Sequence, residues 1–194
     1  MRSFDVVLFH SAIGRHGAVV DWAEQLTARG MTVHTPDLYD GRVFHDLQEG
    51  IDCGNSIGIP ELLRRADEAL APLPTEIAYL GFSGGAAAAE QGVVTRPGAL
   101  GAVFMHGALP VEPFGAAAWP AGVPAQVHYA EHDPWVDVAQ VDALEREVEG
   151  AGGPFERHVY PGSAHLFADP AGDEFEPEPA LLMWERVLEF LEGL

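Results

Sequence analysis

One short segment of the sequence combines a nucleophilic side chain with glycines that would hold it in a tight turn. Residues 77–90 read IAYLGFSGGAAAAE, an apolar run of strand length followed by Gly-Phe-Ser-Gly-Gly and four alanines. Alanine is the strongest helix former, so the pattern predicts a strand, a sharp turn and a helix, with Ser83 at the apex. Gly81 and Gly85 remove Cβ atoms where the backbone passes closest to its neighbours. This G-x-S-x-G arrangement is typical of a nucleophile elbow, whose serine attacks a carbonyl carbon.

Chance is the competing explanation, because a bare G-x-S-x-G pattern occurs readily in a chain with 22 glycines. An ordinary serine in a strand-to-helix turn would look the same at these five positions. The apolar strand before Ser83 and the alanines after it favour the nucleophile. A serine hydroxyl is a poor nucleophile until a base takes its proton, so the rest of the chain must supply a base and an acid.

Asp133 and His165 are the best candidates for the acid and the base. In proteins with such an elbow, the three catalytic residues follow one another as serine, acid and histidine. Asp133 follows the fifth apolar run of the sequence and His165 follows the sixth. Glu131 competes for the role of the acid, but Asp133 lies further past the strand end, in the turn itself. The predicted catalytic triad is therefore Ser83, Asp133 and His165.

A tetrahedral intermediate on the serine needs two hydrogen-bond donors for its oxygen. The backbone N–H of Gly84, directly after the nucleophile, supplies one at the start of a helix. The second comes from the loop after the first strand, where Ala12 is the predicted donor. Loss of one such donor typically slows a reaction by ~10²–10³.

Strand and helix patterns alternate along the whole sequence. The apolar runs are near-continuous, as expected of parallel strands that are covered on both faces. We therefore predict one α/β domain over residues 1–194, built on a doubly wound parallel sheet. Ligands bind beyond the carboxyl ends of such strands, which is where the candidate residues lie. The strands are predicted at 4–9, 31–35, 76–80, 99–105, 125–130 and 156–160, the helices at 18–29, 59–71, 84–94, 138–149 and 178–191, and the longest irregular stretches at 35–60 and 108–123.

Charge and composition exclude several classes of partner. The net charge is −20, from 30 acidic residues against 10 arginines, so neither nucleic acid nor an anionic membrane is an expected partner. No apolar run approaches the ~20 residues of a membrane span. The first apolar run ends at His10 and is interpreted as a buried strand rather than a signal peptide. Because Cys53 is the single cysteine, we expect a cytoplasmic protein. The expected state is a monomer or a small homo-oligomer.

The sequence resembles the dienelactone hydrolase family over nearly its whole length. The resemblance implies an α/β-hydrolase core without a large cap, hydrolysis of esters and lactones, and no metal or organic cofactor. It also implies the same triad and the same two backbone donors. Because the chain begins at the strand that carries the oxyanion loop, we expect six mainly parallel strands in the order 2-1-3-4-5-6, with helices on both faces. The resemblance is carried by Pro36-Asp37-Leu38-Tyr39, Gly81-Phe82-Ser83-Gly84-Gly85, His132-Asp133 and Gly162-Ser163-Ala164-His165-Leu166-Phe167.

Three positions depart from the family pattern. The best-known members carry cysteine where this chain has Ser83, and a glutamate paired with that thiol where it has Ser11. These two changes agree with each other, because a serine needs no carboxylate to control a thiol. An arginine that binds the substrate's carboxylate in dienelactone enzymes is replaced by Asp169. We therefore expect uncharged or weakly polar substrates, unless Arg15 or Arg42 takes over the binding of an anion.

Several residues near the strand ends are candidate walls of a substrate pocket, although such residues are often simply part of a core. Three histidines, His10, His106 and His132, offer an alternative in which they form a metal site with Asp133. No H-E-x-x-H or equivalent spacing is present, so we predict no metal. The candidate pocket residues are Ser11, Ile13, Phe82, His106, Trp119, Trp135 and Phe167.

The sequence thus favours a serine hydrolase that cleaves small carboxylic esters or lactones through an acyl-enzyme intermediate. Two alternatives stay open. The same triad serves a thioesterase or an amidase, because its chemistry acts on any acyl group. A non-catalytic binding protein on a hydrolase scaffold is also possible in principle, since a fold does not fix a function.

Overall fold

Six parallel strands form the central sheet in a computed structural model that describes residues 3–194. Their spatial order is β2-β1-β3-β4-β5-β6, and every neighbouring pair is parallel. The predicted α/β fold and strand order are confirmed. The strands are Asp5–Phe9 (β1), Thr32–His34 (β2), Ile77–Phe82 (β3), Gly101–Met105 (β4), Ala125–Ala130 (β5) and Phe155–Tyr160 (β6).

Six helices cover the two faces of this sheet. Side chains alternate between the faces of a strand, so β1 places Val7 and Phe9 in the core on one face of the sheet, and Val6 and Leu8 in the core on the other face. Among residues 3–194, no helix is both long and apolar enough to cross a membrane. The helices are Ala18–Ala28 (α1), Leu47–Ile57 (α2), Ile59–Leu70 (α3), Gly84–Thr95 (α4), Val138–Gly150 (α5) and Pro177–Glu192 (α6), with a short 3₁₀ helix at Glu112–Phe114.

Helix α2 corrects one prediction, because it lies in the stretch 35–60 that the sequence presents as irregular. Glycines lower the intrinsic helix propensity of this segment, but here they permit close packing. A Cβ atom on Gly50 would lie 2.3 Å from the carbonyl oxygen of Ala12. The Asp46 side chain caps the helix by accepting a hydrogen bond from the backbone N–H of Glu49, at 2.8 Å. This Asp-x-x-Glu pattern is the sequence signal from which the start of the helix could have been predicted.

The backbone of α4 lies directly against strands β1 and β3. A Cβ atom on Gly81 would lie 2.2 Å from the carbonyl oxygen of Gly85, and one on Gly85 would lie 2.4 Å from that of His10. Phe9 of β1 is in register with Gly81 of β3. The loops that follow these two strands therefore lie side by side at the carboxyl edge of the sheet.

Replacement of Gly85 by alanine tests this close packing. We expect Gly85→Ala to destabilise the fold by about 2 kcal/mol or more, because the new methyl group meets backbone that cannot rotate away. Gly150→Ala is the matched control, since a Cβ atom there meets nothing within 4 Å. The control is expected to be neutral or stabilising by up to about 1 kcal/mol. Urea unfolding measures both, and equal stabilities would contradict the packing.

Candidate active site

Ser83 occupies a strained backbone conformation between β3 and α4, with φ 51° and ψ −118°. A positive φ at a residue other than glycine costs roughly 1–3 kcal/mol and persists only where the surroundings enforce it. Here the Ser83 N–H donates to the carbonyl oxygen of Met105 at 2.7 Å. The Ser83 carbonyl oxygen accepts from the N–H of Ala86 at 2.8 Å. Bonds to β4 and to α4 thus hold the turn from both sides.

Ser83, His165 and Asp133 form a continuous hydrogen-bonded chain. Ser83 Oγ lies 2.7 Å from His165 Nε2, and His165 Nδ1 lies 2.7 Å from Asp133 Oδ2. An ionised carboxylate only accepts hydrogen bonds, so this network assigns the proton of the neutral imidazole to Nδ1. Nε2 is then free to accept the serine proton. The three residues come from separate loops, after β3, β5 and β6, and meet at one point.

Buried contacts fix the orientation of Asp133 and His165. The Asp133 side chain is fully buried, and its Oδ1 accepts the backbone N–H of Trp135 at 2.9 Å. Glu174 Oε2 accepts the backbone N–H groups of His165 and Leu166, both at 3.1 Å. One carboxylate oxygen of Asp133 is thus reserved for the histidine, and Glu174 anchors the loop that carries it.

The competing acid, Glu131, lies in a different position. Its side chain is 62% exposed and lies 3.9 Å from His132. Asp133, not Glu131, is therefore the carboxylate within hydrogen-bond distance of His165.

Ala12 and Gly84 line the same cavity as Ser83 and His165. Gly84 is the first residue of α4, so its N–H belongs to the positive end of the helix. Ala12 lies in the loop after β1, and α2 supports it through the close approach of Gly50. Both predicted donors thus line the cavity that also contains Ser83.

The cavity above Ser83 has a volume of about 360 Å³ and a mostly apolar lining. Helix α2, which the sequence did not predict, supplies part of its wall through Ile51, Gly54 and Asn55. Neither arginine nor lysine lines it among the described residues. The remaining lining residues include Tyr39, Ile59, Leu62, Ala86, Ala87, Glu90, His106, Leu109, Trp135 and Val136.

Of the residues predicted as pocket walls, His106 and Trp135 line this cavity. Phe82 and Phe167 do not; they are buried against the His106 ring, with ring centroids 5.9 and 4.8 Å away. Trp119 is part of the core, where its indole N–H donates to the carbonyl oxygen of Val123 at 2.8 Å.

Ser11 and Ile13 border neighbouring cavities instead. Ile13 and Trp135 line one of about 280 Å³ on one side of the site. Ser11 lines a more apolar cavity of about 280 Å³ on the other, and its Oγ accepts the N–H of Ile13 at 3.3 Å. The two residues therefore flank the Ser83 cavity rather than form its walls.

The three histidines considered as metal ligands differ in burial and in hydrogen bonding. His10 Nδ1 donates to the carbonyl oxygen of Ser11 at 2.7 Å, and its Nε2 accepts the N–H of Leu38 at 3.0 Å. His132 is exposed, whereas His106 is buried. Within residues 3–194, no group of three histidine, cysteine or acidic side chains is placed to hold a metal ion.

Asp169 bonds to the backbone at the start of α1 and does not line the Ser83 cavity. Its buried Oδ1 accepts the N–H groups of Ala18 and Ala171, at 3.1 and 3.0 Å. Helix α1 starts after Gly17, which has no side chain to cap it, so Asp169 provides the cap. Asp169 does not line the Ser83 cavity, so the residue that replaces the family's arginine places no charge in the substrate space. Neither Arg15 nor Arg42 lines it either.

Comparisons with known proteins identify the family and the fold of the chain. The sequence profile described as the dienelactone hydrolase family matches residues 2–194. A sequence search of curated proteins found no match.

Solved structures show the same fold at low sequence identity. A dienelactone hydrolase-like promiscuous phosphotriesterase from metagenomic libraries is 22% identical, with a TM-score of 0.78 over 98% of this chain and 86% of that chain. The thermophilic esterase Est2 of the planctomycete Thermogutta terrifontis, with propionate bound, is 16% identical, with a TM-score of 0.66 over 98% and 84%. The same organism's esterase 2, phosphorylated by paraoxon, is 17% identical, with a TM-score of 0.63 over 98% and 83%.

The capping role of Asp169 predicts different outcomes for two substitutions. Asp169→Ala removes both hydrogen bonds and is expected to destabilise the fold by about 1–2 kcal/mol in urea unfolding. Asp169→Asn keeps an oxygen that can accept them, so most of the stability should remain.

The stabilities of wild type and of Asp169→Asn should also respond differently to pH. Burial raises the pKa of Asp169 above its ordinary value, so the folded chain holds this proton more tightly than the unfolded chain. Wild type then loses stability relative to Asp169→Asn as pH rises from about 4 through the raised pKa. A difference between the two that is constant from pH 3.5 to 7 would contradict this assignment.

Proposed function

The chain belongs to the dienelactone hydrolase family, and we propose that it is a serine hydrolase that cleaves small carboxylic esters or lactones. The observation that carries this proposal is the chain of two 2.7 Å contacts from Ser83 Oγ through His165 to Asp133. Both distances are those of hydrogen bonds, and a buried carboxylate behind the imidazole is the arrangement that activates a serine.

The proposed reaction starts at the Ser83 hydroxyl. His165 Nε2 takes the proton as Oγ attacks the carbonyl carbon, and Asp133 stabilises the imidazolium without taking the proton itself. The oxygen of the tetrahedral intermediate accepts from the N–H groups of Gly84 and Ala12. His165 then protonates the leaving alcohol, and an acyl group remains on Ser83. Water, activated by His165, attacks this ester and releases the acid.

The lining of the cavity supports uncharged substrates. Apolar side chains dominate it, and within residues 3–194 no arginine lines it to pair with a carboxylate. The net charge of −20 also disfavours the approach of an anion. We therefore propose neutral esters or lactones as substrates, and not the carboxylate-bearing dienelactones that give the family its name.

Active-site labelling tests the nucleophile. The related esterase 2 carries a phosphoryl group from paraoxon. A fluorophosphonate probe should likewise label wild type, with loss of the label in Ser83→Ala. Ser163→Ala is the matched control, because Ser163 is exposed in the loop that carries His165. Equal labelling of wild type and Ser83→Ala would refute the proposed nucleophile, and the absence of any labelling would favour a non-catalytic binding protein.

The role of the acid has a separate test. Asp133→Asn should lower kcat for p-nitrophenyl acetate by roughly 10³–10⁴, because an amide that donates to His165 favours the wrong tautomer. Glu131→Gln makes the same chemical change on an exposed neighbour and should leave kcat within about twofold of wild type. A comparable loss in both variants would remove Asp133 from the triad. Thioester and anilide analogues, measured beside the ester, show which acyl bond is cleaved fastest.

A further inference from the structure

The triad leaves two buried polar side chains in the cavity without a role. Glu90 and His106 line the same space as Ser83, and each is at least 98% buried. Glu90 Oε2 and both ring nitrogens of His106 have no hydrogen-bond partner among the described residues. Buried polar atoms are nearly always paired, so unpaired ones beside a substrate cavity indicate a missing partner.

Glu90 lies on the face of α4 that points into the cavity. Ser83, Ala87 and Glu90 are spaced by four and three residues, so they share that face, and Ala86 lines the cavity beside them. At 1.5 Å per residue, Glu90 lies about 10 Å along the helix from Ser83. Side chains lean toward the start of a helix, so the carboxyl group reaches back toward the nucleophile.

His106 lies at the end of β4 in a conformation that is rare for its residue type, with φ 68°. Its N–H donates to the carbonyl oxygen of His128 at 2.7 Å, which holds the backbone in place. The ring is enclosed by Phe82 and Phe167, and its centroid lies 5.7 Å from that of His165. Backbone strain of this kind concentrates at functional sites.

A backbone hydrogen bond links Glu90 to the loop that follows His106. Glu90 Oε1 accepts the N–H of Leu109 at 2.8 Å, and Leu109 follows His106 by three residues. Glu90 is thus bonded to the segment that follows His106, and both side chains line the cavity. The terminal torsion of a glutamate is soft, so the carboxyl group can turn Oε2 toward a ligand at small cost.

Burial favours the neutral form of both side chains. Burial, and to a lesser extent the nearby Glu147, raises the pKa of Glu90 well above its ordinary value. Burial, with a smaller contribution from His165, lowers the pKa of His106 well below its ordinary value. A protonated carboxyl group and a neutral imidazole each offer both a donor and an acceptor.

We propose that Glu90 and His106 form a polar subsite that binds an uncharged hydroxyl group on the acyl part of the substrate. A hydroxyl group donates and accepts at once, so it satisfies both side chains without placing a charge in the cavity. The inference rests on the proposed function, and it narrows the substrates to hydroxylated esters and lactones. Because Glu90 lies about 10 Å along α4 from Ser83 and its side chain leans back toward that residue, acyl chains of six carbons are chosen to test the subsite.

Two p-nitrophenyl esters test the subsite, one of hexanoic acid and one of 6-hydroxyhexanoic acid. The uncatalysed rate of each is subtracted, because the hydroxy ester can cyclise. Wild type should show kcat/KM at least about tenfold higher for the hydroxy ester, the effect of pairing buried polar groups. Esters of 6-aminohexanoic acid and of adipic acid add a cation and an anion at the same position, and both should react more slowly than the hydroxy ester.

Three variants assign the effect to Glu90. Glu90→Gln keeps a neutral donor and acceptor and should retain most of the preference, whereas Glu90→Leu should bring the ratio of the two kcat/KM values close to one. Glu147→Leu is the matched control, because Glu147 accepts the N–H of Val111 in the same loop but does not line the cavity. This control should keep the wild-type ratio, so loosening of the loop is separated from loss of the subsite.

Each outcome decides the proposal. Equal kcat/KM values for the two esters in wild type overturn the subsite and leave the serine hydrolase standing, and this holds even if Glu90→Leu fails to fold. An unchanged preference in Glu90→Leu overturns the role of Glu90. A preferred amino ester overturns the choice of an uncharged ligand. If wild type cleaves none of the esters, the proposed function and the subsite fail together.

Discussion

The close approach of α4 to strands β1 and β3 is the constraint on which the site depends. Gly81 and Gly85 let backbone meet backbone at distances that no Cβ atom would allow. This contact forces the chain to turn sharply at Ser83, which explains its positive φ, and it places the start of α4 beside the loop after β1. Ser83 and both proposed oxyanion donors thus owe their positions to one packing contact. The strained turn costs stability, and the apolar cores on the two faces of the sheet offset that cost.

The remaining parts of the site are brought to that turn by the sheet itself. Parallel strands end at one edge, so loops that are far apart in the sequence meet there, as Asp133 and His165 do. Each of them is fixed by backbone N–H groups, Asp133 through its bond from Trp135 and His165 through Glu174. The proposed chemistry therefore rests on loops that are held by hydrogen bonds together with buried side chains such as Phe167.

Prediction from sequence succeeded where local chemistry determines the structure. The apolar strands and the elbow around Ser83 have periodicities and glycine spacings that few alternatives share. It failed for α2, because the glycines that weaken this helix in isolation are the ones that pack it against Ala12 and Tyr39. It placed Phe82 and Phe167 in the pocket because proximity to a strand end does not reveal on which side a side chain lies. Glu90 was missed because a glutamate in an alanine-rich helix is ordinarily solvated, although its spacing of seven residues from Ser83 marks the same face.

Helix α2 couples the wall of the cavity to the loop that carries Ala12. Ile51 and Asn55 face the substrate space, while Gly50 of the same helix lies against the carbonyl group of Ala12 with no side chain between them. A bulky molecule that displaces this wall therefore also disturbs the loop at Ala12, whose N–H is the proposed second donor to the oxyanion. A molecule that is too large still enters the cavity, but it misaligns the Ala12 N–H that is proposed to stabilise its transition state. Selection by size therefore acts on the rate of turnover more than on the strength of binding.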